Sequence, residues 1–169
     1  MKIFFLSLII ITTIFSCSPT PEAKVITDKV DVHQSGIIYD SSANLDAIIA
    51  LNKDLENLDS ISYKTKYADT VIFWNNDKQT HLSENVGFIK TCLKNKVQVK
   101  VEKNGRWGSR FNHKNGTTDD FVYQSIDIHF TRGSKSVDVE FFQADQFKDG
   151  KIVREYNYYD PTNFNTLLK

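Results

Sequence analysis

Phe147-Lys148-Asp149-Gly150-Lys151-Ile152-Val153-Arg154-Glu155-Tyr156 decides the fold. Asp149-Gly150 is a turn dipeptide that supplies the positive φ a tight hairpin needs. A two-residue loop there pairs Lys148 with Lys151. It then predicts Phe147 opposite Ile152, Asp145 opposite Arg154, Gln143 opposite Tyr156, Phe141 opposite Tyr158 and Val139 opposite Asp160. Upstream, a loop at Gly133-Ser134 sets Phe130 opposite Val137. It also places Ile128 against Val139, Ile126 against Phe141, Gln124 against Gln143 and Val122 against Asp145.

Side chains alternate between faces with period two, so all these positions share one face. Hydrophobicity supports that register. The face collects Phe130, Ile128, Ile126, Val122, Val137, Val139, Phe141, Phe147 and Ile152. The opposite face collects Asp127, His129, Asp138, Glu140, Gln146 and Glu155, with scattered aromatics such as Tyr123, Phe142 and Tyr159. The apolar face is therefore expected to meet the helices. Its polar members must be paired or must line a cavity. Gln124, Gln143 and Tyr156 form one row and Asp145 with Arg154 the next. Asp160 lies about 13 Å from Tyr156 along the strand. Asp145–Arg154 reads either as a cross-strand ion pair near the rim or as part of a site. Gln124 and Gln143 either bond to each other or contact a ligand.

Three helices are expected before these strands. Leu45, Ile48, Ile49, Leu51, Leu55 and Leu58 recur at three- and four-residue spacing, an apolar stripe capped by Ser41 or Ser42. Residues 61–67 predict a short second helix and 70–74 a first strand. Ser83 is expected to cap a third helix whose buried side carries Val86, Phe88, Ile89, Cys92 and Leu93. The strands at 97–102, 121–131, 136–147 and 151–160 follow, with Asn104-Gly105 and Asn115-Gly116 as further turns. Residues 106–120 read as a long polar connection. Helices followed by hairpins give an α+β fold with the helices on one face of the sheet.

With Tyr67-Ala68-Asp69-Thr70-Val71-Ile72-Phe73-Trp74 leading from helix to strand, and the Asp149-Gly150-Lys151-Ile152 hairpin leading to Asp160, residues 43–160 resemble the nuclear-transport-factor-2-like (NTF2-like) superfamily in its SnoaL-like branch. The resemblance implies a cone-shaped, cystatin-like fold, with three N-terminal helices packed on a curved antiparallel sheet around a pocket. It implies cofactor-free chemistry where there is any. Asp160 matches the strand-end acid/base of the cyclase-like branch, and Tyr156 the aromatic before it. Gln143 stands where enzymes of the branch often carry His, Asp or Arg. The expected pocket set is Trp74, Gln124, Gln143, Asp145, Arg154, Tyr156 and Tyr158. Trp74 is read as core or wall more readily than as a specific contact. Asp160 is read either as a pocket acid or as a hydrogen-bonded turn residue before Pro161.

The N-terminus supplies an address. Lys2 precedes an apolar run over 3–15, too short to span a bilayer, which needs about 20 residues. Ile14-Phe15-Ser16-Cys17 resembles the lipobox of bacterial lipoproteins, where the Cys is acylated. The expected layout is a signal over 1–17 ending at the lipidated Cys17, a flexible tether over 18–42 and the domain over 43–169. The resemblance implies a lipid-anchored protein of the cell envelope. Ser18, which is not acidic, favours the outer membrane over inner-membrane retention. Cys92 is then left without a partner and reads as core packing.

Composition excludes some classes. There are 21 basic and 21 acidic residues, so no cationic surface suits a nucleic acid. The four His, at 33, 81, 113 and 129, lack metal-ligand spacing. No nucleophile elbow or phosphate-cradling Gly loop is present. Two functions remain. One is a non-catalytic pocket protein for a small apolar or amphipathic ligand or an envelope protein. The other is a metal-free lyase, isomerase or cyclase using Asp160. A homodimer through the outer sheet face is a further expectation.

Overall fold

The computed structural model describes residues 35–162 and Leu167. In chain order the elements are β1 (Ser35–Tyr39), α1 (Ala43–Glu56), α2 (Ser60–Thr65), β2 (Tyr67–Asn75), β3 (Lys78–Thr80), α3 (Leu82–Lys94), β4 (Gln98–Asn112), β5 (Thr118–Arg132), β6 (Lys135–Lys148) and β7 (Lys151–Tyr159). The Cys17 motif lies outside the described residues.

Each helix starts where the local chemistry satisfies free N–H groups. Ser42 caps α1 by accepting from the Leu45 N–H at 3.2 Å. Asp59 caps α2, accepting from Ile61 and Ser62 at 3.1 and 3.0 Å. The cap of α3 is His81 rather than Ser83. Glu84 reaches back to the His81 N–H at 3.2 Å, so the helix begins two residues earlier than the serine suggested. Leu45, Ile48 and Leu51 are buried on α1, and Ile89 and Cys92 on α3. Ile49 and Leu93, counted in the apolar stripes, point to solvent.

The fold is α+β, with one curved, unclosed sheet in the order β1-β4-β5-β6-β7-β2-β3. Helices and strands interleave more than expected. β1 precedes α1, within the stretch assigned to the tether, and β2 and β3 separate α2 from α3. The sheet is also not wholly antiparallel, because β2 runs parallel to β7. Residues 106–120 are not an irregular connection. β4 continues to Asn112 and pairs with β5 from Thr118, and Gly116 turns the chain between them at φ 83°. Asn104-Gly105 is a bulge inside β4 rather than a turn. β1 seals the outer edge of β4. There the Tyr39 ring lies so close to Gly108 that a β-carbon would sit 2.0 Å from it.

The β5–β6 register is the expected one at every quoted pair, from Phe130–Val137 to Val122–Asp145. The β6–β7 hairpin begins as expected, with Lys148 opposite Lys151 and Phe147 opposite Ile152 across Asp149-Gly150 at φ 52° and 73°. One residue later a bulge intervenes. Val153 is an extra residue on β7, and Gln146 pairs with Arg154. Beyond it the register is Asp145–Glu155, Ala144–Tyr156, Gln143–Asn157, Phe142–Tyr158 and Phe141–Tyr159. One added residue exchanges the two faces of a strand. Glu155, Asn157 and Tyr159 therefore face the helices, while Arg154, Tyr156 and Tyr158 face away.

Two apolar clusters join helices to sheet. One gathers Leu45, Ile48, Leu51, Phe73, Ile89, Val122, Phe147 and Ile152. The other gathers Cys92, Val97, Ile126, Ile128, Phe130, Val139 and Leu167. The cavity described next opens beside both.

Candidate functional site

A cavity of about 290 Å³ lies between the helices and the inner face of β5, β6 and β7. Its walls are mostly apolar, from Leu51, Leu55, Phe88, Ile128, Phe130 and Phe141. Its polar groups collect in one region, with Gln143, Glu155, Asn157, Asn75 and Tyr63 on the floor. Glu84, Asn85 and Pro161 also line it, with Glu84 and Pro161 exposed to solvent.

The floor is a connected hydrogen-bond network. Tyr67 donates its hydroxyl to Glu155 Oε2 at 2.7 Å. A phenol has one proton, so the 2.9 Å contact with Tyr63 is Tyr63 donating to the Tyr67 oxygen. Asn157 Nδ2 donates to Glu155 Oε1 at 2.6 Å and to Asn75 Oδ1 at 3.0 Å. Asn75 in turn donates to Thr80 Oγ1 at 2.9 Å. On the other side, Gln143 Nε2 donates to Asp145 Oδ1 at 3.1 Å, and Gln124 Nε2 donates to Gln143 Oε1 at 2.7 Å. Gln124 exchanges hydrogen bonds with Asn52 on α1 at 3.0 and 3.3 Å, and its Oε1 also accepts from Arg106 Nε and Nη2.

Asp145 and Glu155 meet at the centre, opposite each other on adjacent strands and both buried. Asp145 Oδ2 has no donor. Burial, and then the Glu155 charge, push the Asp145 carboxyl well above the usual carboxylate range. Burial also raises Glu155, against the hydrogen bond from Tyr67, which favours its ionised form. Asp145 Oδ1 and both Glu155 oxygens already accept hydrogen bonds. Two like charges this close do not both ionise, and the pair titrates as a unit.

The expected site residues divide. Gln143 bonds to Gln124, as one of its readings had it, and it also lines the cavity. Gln124 and Asp145 are buried behind that floor. Trp74, Arg154, Tyr156 and Tyr158 lie together on the outer face, in a shallow surface depression. The Val153 bulge carried the β7 residues there, and Trp74 pairs with Tyr156 across β2–β7. No Asp145–Arg154 row exists. Asp160 is exposed past the end of β7, where it accepts from the Thr162 N–H at 2.9 Å and from the Thr162 hydroxyl. Those bonds lower its pKa. This is the turn-residue reading, and it removes Asp160 as a pocket acid.

The residues missed are Glu155, Asn157, Tyr63 and Asn75. Tyr159, placed outside, lines the cavity and stacks on Phe141 with ring centroids 4.4 Å apart. A sequence signal for the shift did exist: Ile152-Val153 are consecutive apolar residues where strict alternation calls for one. The outer face carries an aromatic array in which Trp107, Tyr123, Phe121 and Phe142 stack or tilt against one another. Among the described residues, no group of three or more His, Cys, Asp or Glu is placed to hold a metal ion. No helix among them is long and apolar enough to cross a membrane.

No protein-family model and no curated protein matches the sequence. Solved structures do match. An LEH-like epoxide hydrolase from M. tuberculosis aligns at TM-score 0.55 and 16% identity, over 75% of this chain and 90% of that one. A putative SnoaL-like polyketide cyclase from Shewanella putrefaciens aligns at 0.54 and 12%, over 76% and 98%. An NTF2-like protein of unknown function from Burkholderia pseudomallei aligns at 0.53 and 14%, over 76% and 99%. The chain has the NTF2-like fold that these SnoaL-like proteins share.

Proposed function

We propose that this NTF2-like domain is a non-catalytic pocket protein, held at the cell envelope by a lipid on Cys17, that binds a small, mainly apolar molecule with one polar end. The carrying observation is the cavity of about 290 Å³, apolar on its walls and polar on its floor. That volume is near the lower end for ligand pockets, about 300 Å³. The polar floor fixes orientation, and the apolar wall supplies most of the burial.

The uncharged dye N-phenyl-1-naphthylamine tests this. Its fluorescence is expected to rise on binding the domain. Ile128→Trp, which fills the cavity from β5, is expected to abolish the rise while the far-ultraviolet circular dichroism stays unchanged. An equal rise in the filled variant overturns the pocket reading. The anchor is tested separately: Cys17→Ser is expected to move the protein from the membrane fraction to the soluble one.

A second reading, a cofactor-free lyase, isomerase or cyclase, is supported by one arrangement. Glu155 is a buried carboxyl on the cavity floor, backed by Asp145, whose pKa burial and the Glu155 charge push well above the usual carboxylate range. That combination suits acid/base work. In this reading Glu155 touches the substrate and Asp145 positions the proton; Asp160 has no part. A homodimer through the outer face is supported by the exposure of Trp107, Phe142 and Tyr158, at 36%, 40% and 53%. Sedimentation of Phe142→Lys against the wild type tests it.

A further inference from the structure

The floor of the cavity holds a buried carboxyl group, Glu155. Glu155 is stabilised by two hydrogen bonds from neutral donors, Tyr67 and Asn157, at 2.7 and 2.6 Å. The charged residues that line the cavity are Glu155 and Glu84, both acidic; no Lys, Arg or His is among its described lining residues. Three basic residues of the sheet are directed elsewhere. Arg154 is turned to the outer face, Lys151 donates to the Thr65 carbonyl, and Arg106 donates to Gln124. A buried charge is ordinarily paired. Here the described lining residues supply hydrogen bonds but no opposite charge.

Acceptor capacity remains. A carboxylate has about four lone-pair sites. Tyr67 and Asn157 each donate to one of its oxygens, and Glu155 borders the open space. Tyr63 is joined to it through Tyr67, while Tyr159, Phe88 and Phe130 line the cavity farther along the strands. A carboxylate at one end of an apolar cavity suits a compact cation. The apolar walls suit the rest of such a molecule.

We infer that the cavity selects an amphipathic amine, its protonated amino group on Glu155 and its hydrocarbon body against the apolar walls. The inference rests on the pocket-binding reading and narrows it to a ligand class. Binding gives Glu155 a charge partner that its described lining does not. A neutral alcohol gains only the apolar contact and one hydrogen bond. A carboxylate of the same shape meets Glu155 with like charge, which adds repulsion to desolvation.

The test compares three probes with one body: 4-phenylbutylamine, 4-phenylbutanol and 4-phenylbutyrate. Each is titrated calorimetrically into the folded domain at neutral pH and low salt. The amine is expected to bind about tenfold or more tighter than the alcohol, equivalent to ~1.4 kcal/mol. The carboxylate is expected to bind weakest. In Glu155→Gln the amine and the alcohol are expected to bind alike. An alcohol that equals the amine in the wild type overturns the inference while leaving a pocket for apolar ligands. An amine preference that survives Glu155→Gln overturns it too, by placing the recognition elsewhere. If none of the three binds up to its solubility limit, the pocket reading itself falls, and the inference with it. The wild-type ranking decides even where Glu155→Gln fails to fold.

Discussion

At the scale of single residues, the carboxyl pair is the strongest feature of this molecule. Asp145 is fully buried and its folded-state pKa is raised by burial and by Glu155. A group raised on folding binds more protons in the native state, so the stability it confers falls as pH rises. The penalty is absent below the unfolded value, about 4 for Asp. It grows with pH until the folded pKa is passed, by at most about 1.4 kcal/mol per pH unit for one proton. Asp145→Asn keeps a donor for Glu155 and removes that proton. Its urea midpoint is expected to exceed that of the wild type at pH 8 and to vary less with pH; a steeper pH profile in the variant refutes the shared proton. Tyr67→Phe removes the donor to Glu155 Oε2 and leaves the carboxylate short of a partner. A loss of about 1–3 kcal/mol in denaturant unfolding is expected. Cys92 is different in kind. Burial pushes its thiol up to about 11, so it is expected to resist native-state alkylation and to react only on unfolding.

At the scale of elements, the Val153 bulge governs the site. It lets Ile152 stay opposite Phe147 in the core while Glu155 still turns inward to Tyr67. With the bulge, Val153 and Arg154 together oppose the single residue Gln146. Deleting Val153 therefore leaves a regular ladder in which Ile152, Glu155 and Asn157 keep their faces. Deleting Tyr156 turns Asn157 and Tyr159 outward instead. The first deletion is expected to retain a cooperative thermal transition and the second to lose it; the reverse order would refute the register. β4 and β1 show the same dependence on one position. Tyr39 packs where Gly108 has no side chain. Gly108→Ala is expected to detach β1 and lower the melting temperature, which exchange of the Ile37 and Ile38 amides would register directly.

At the scale of the whole molecule, the local signals and the long-range ones divide cleanly. Turn dipeptides and alternation were enough for the β5–β6 pairing, because a tight hairpin joins neighbouring residues and its register follows from local geometry. Apolar spacing was enough for the three helices, and together these carried the resemblance to an NTF2-like fold. Residues 106–120 were misread because polar strands look like loops when judged by composition alone. β1 was missed for a similar reason. It is a short edge strand with Ile37 and Ile38 exposed, so no buried face marks it. The site was legible only in its first half. Gln124, Gln143 and Asp145 sit before the bulge, where simple counting holds. Asp160, Arg154, Tyr156 and Tyr158 sit after it, where counting fails by one. The sequence by itself determined the class of fold, the helices, the turns and the apolar face of β5 and β6, since each depends on neighbours a few residues apart. Only the tertiary structure decided which face of β7 looks inward, because that choice depends on Tyr67, brought to Glu155 from 88 residues away, and on whether a buried carboxylate finds its donors.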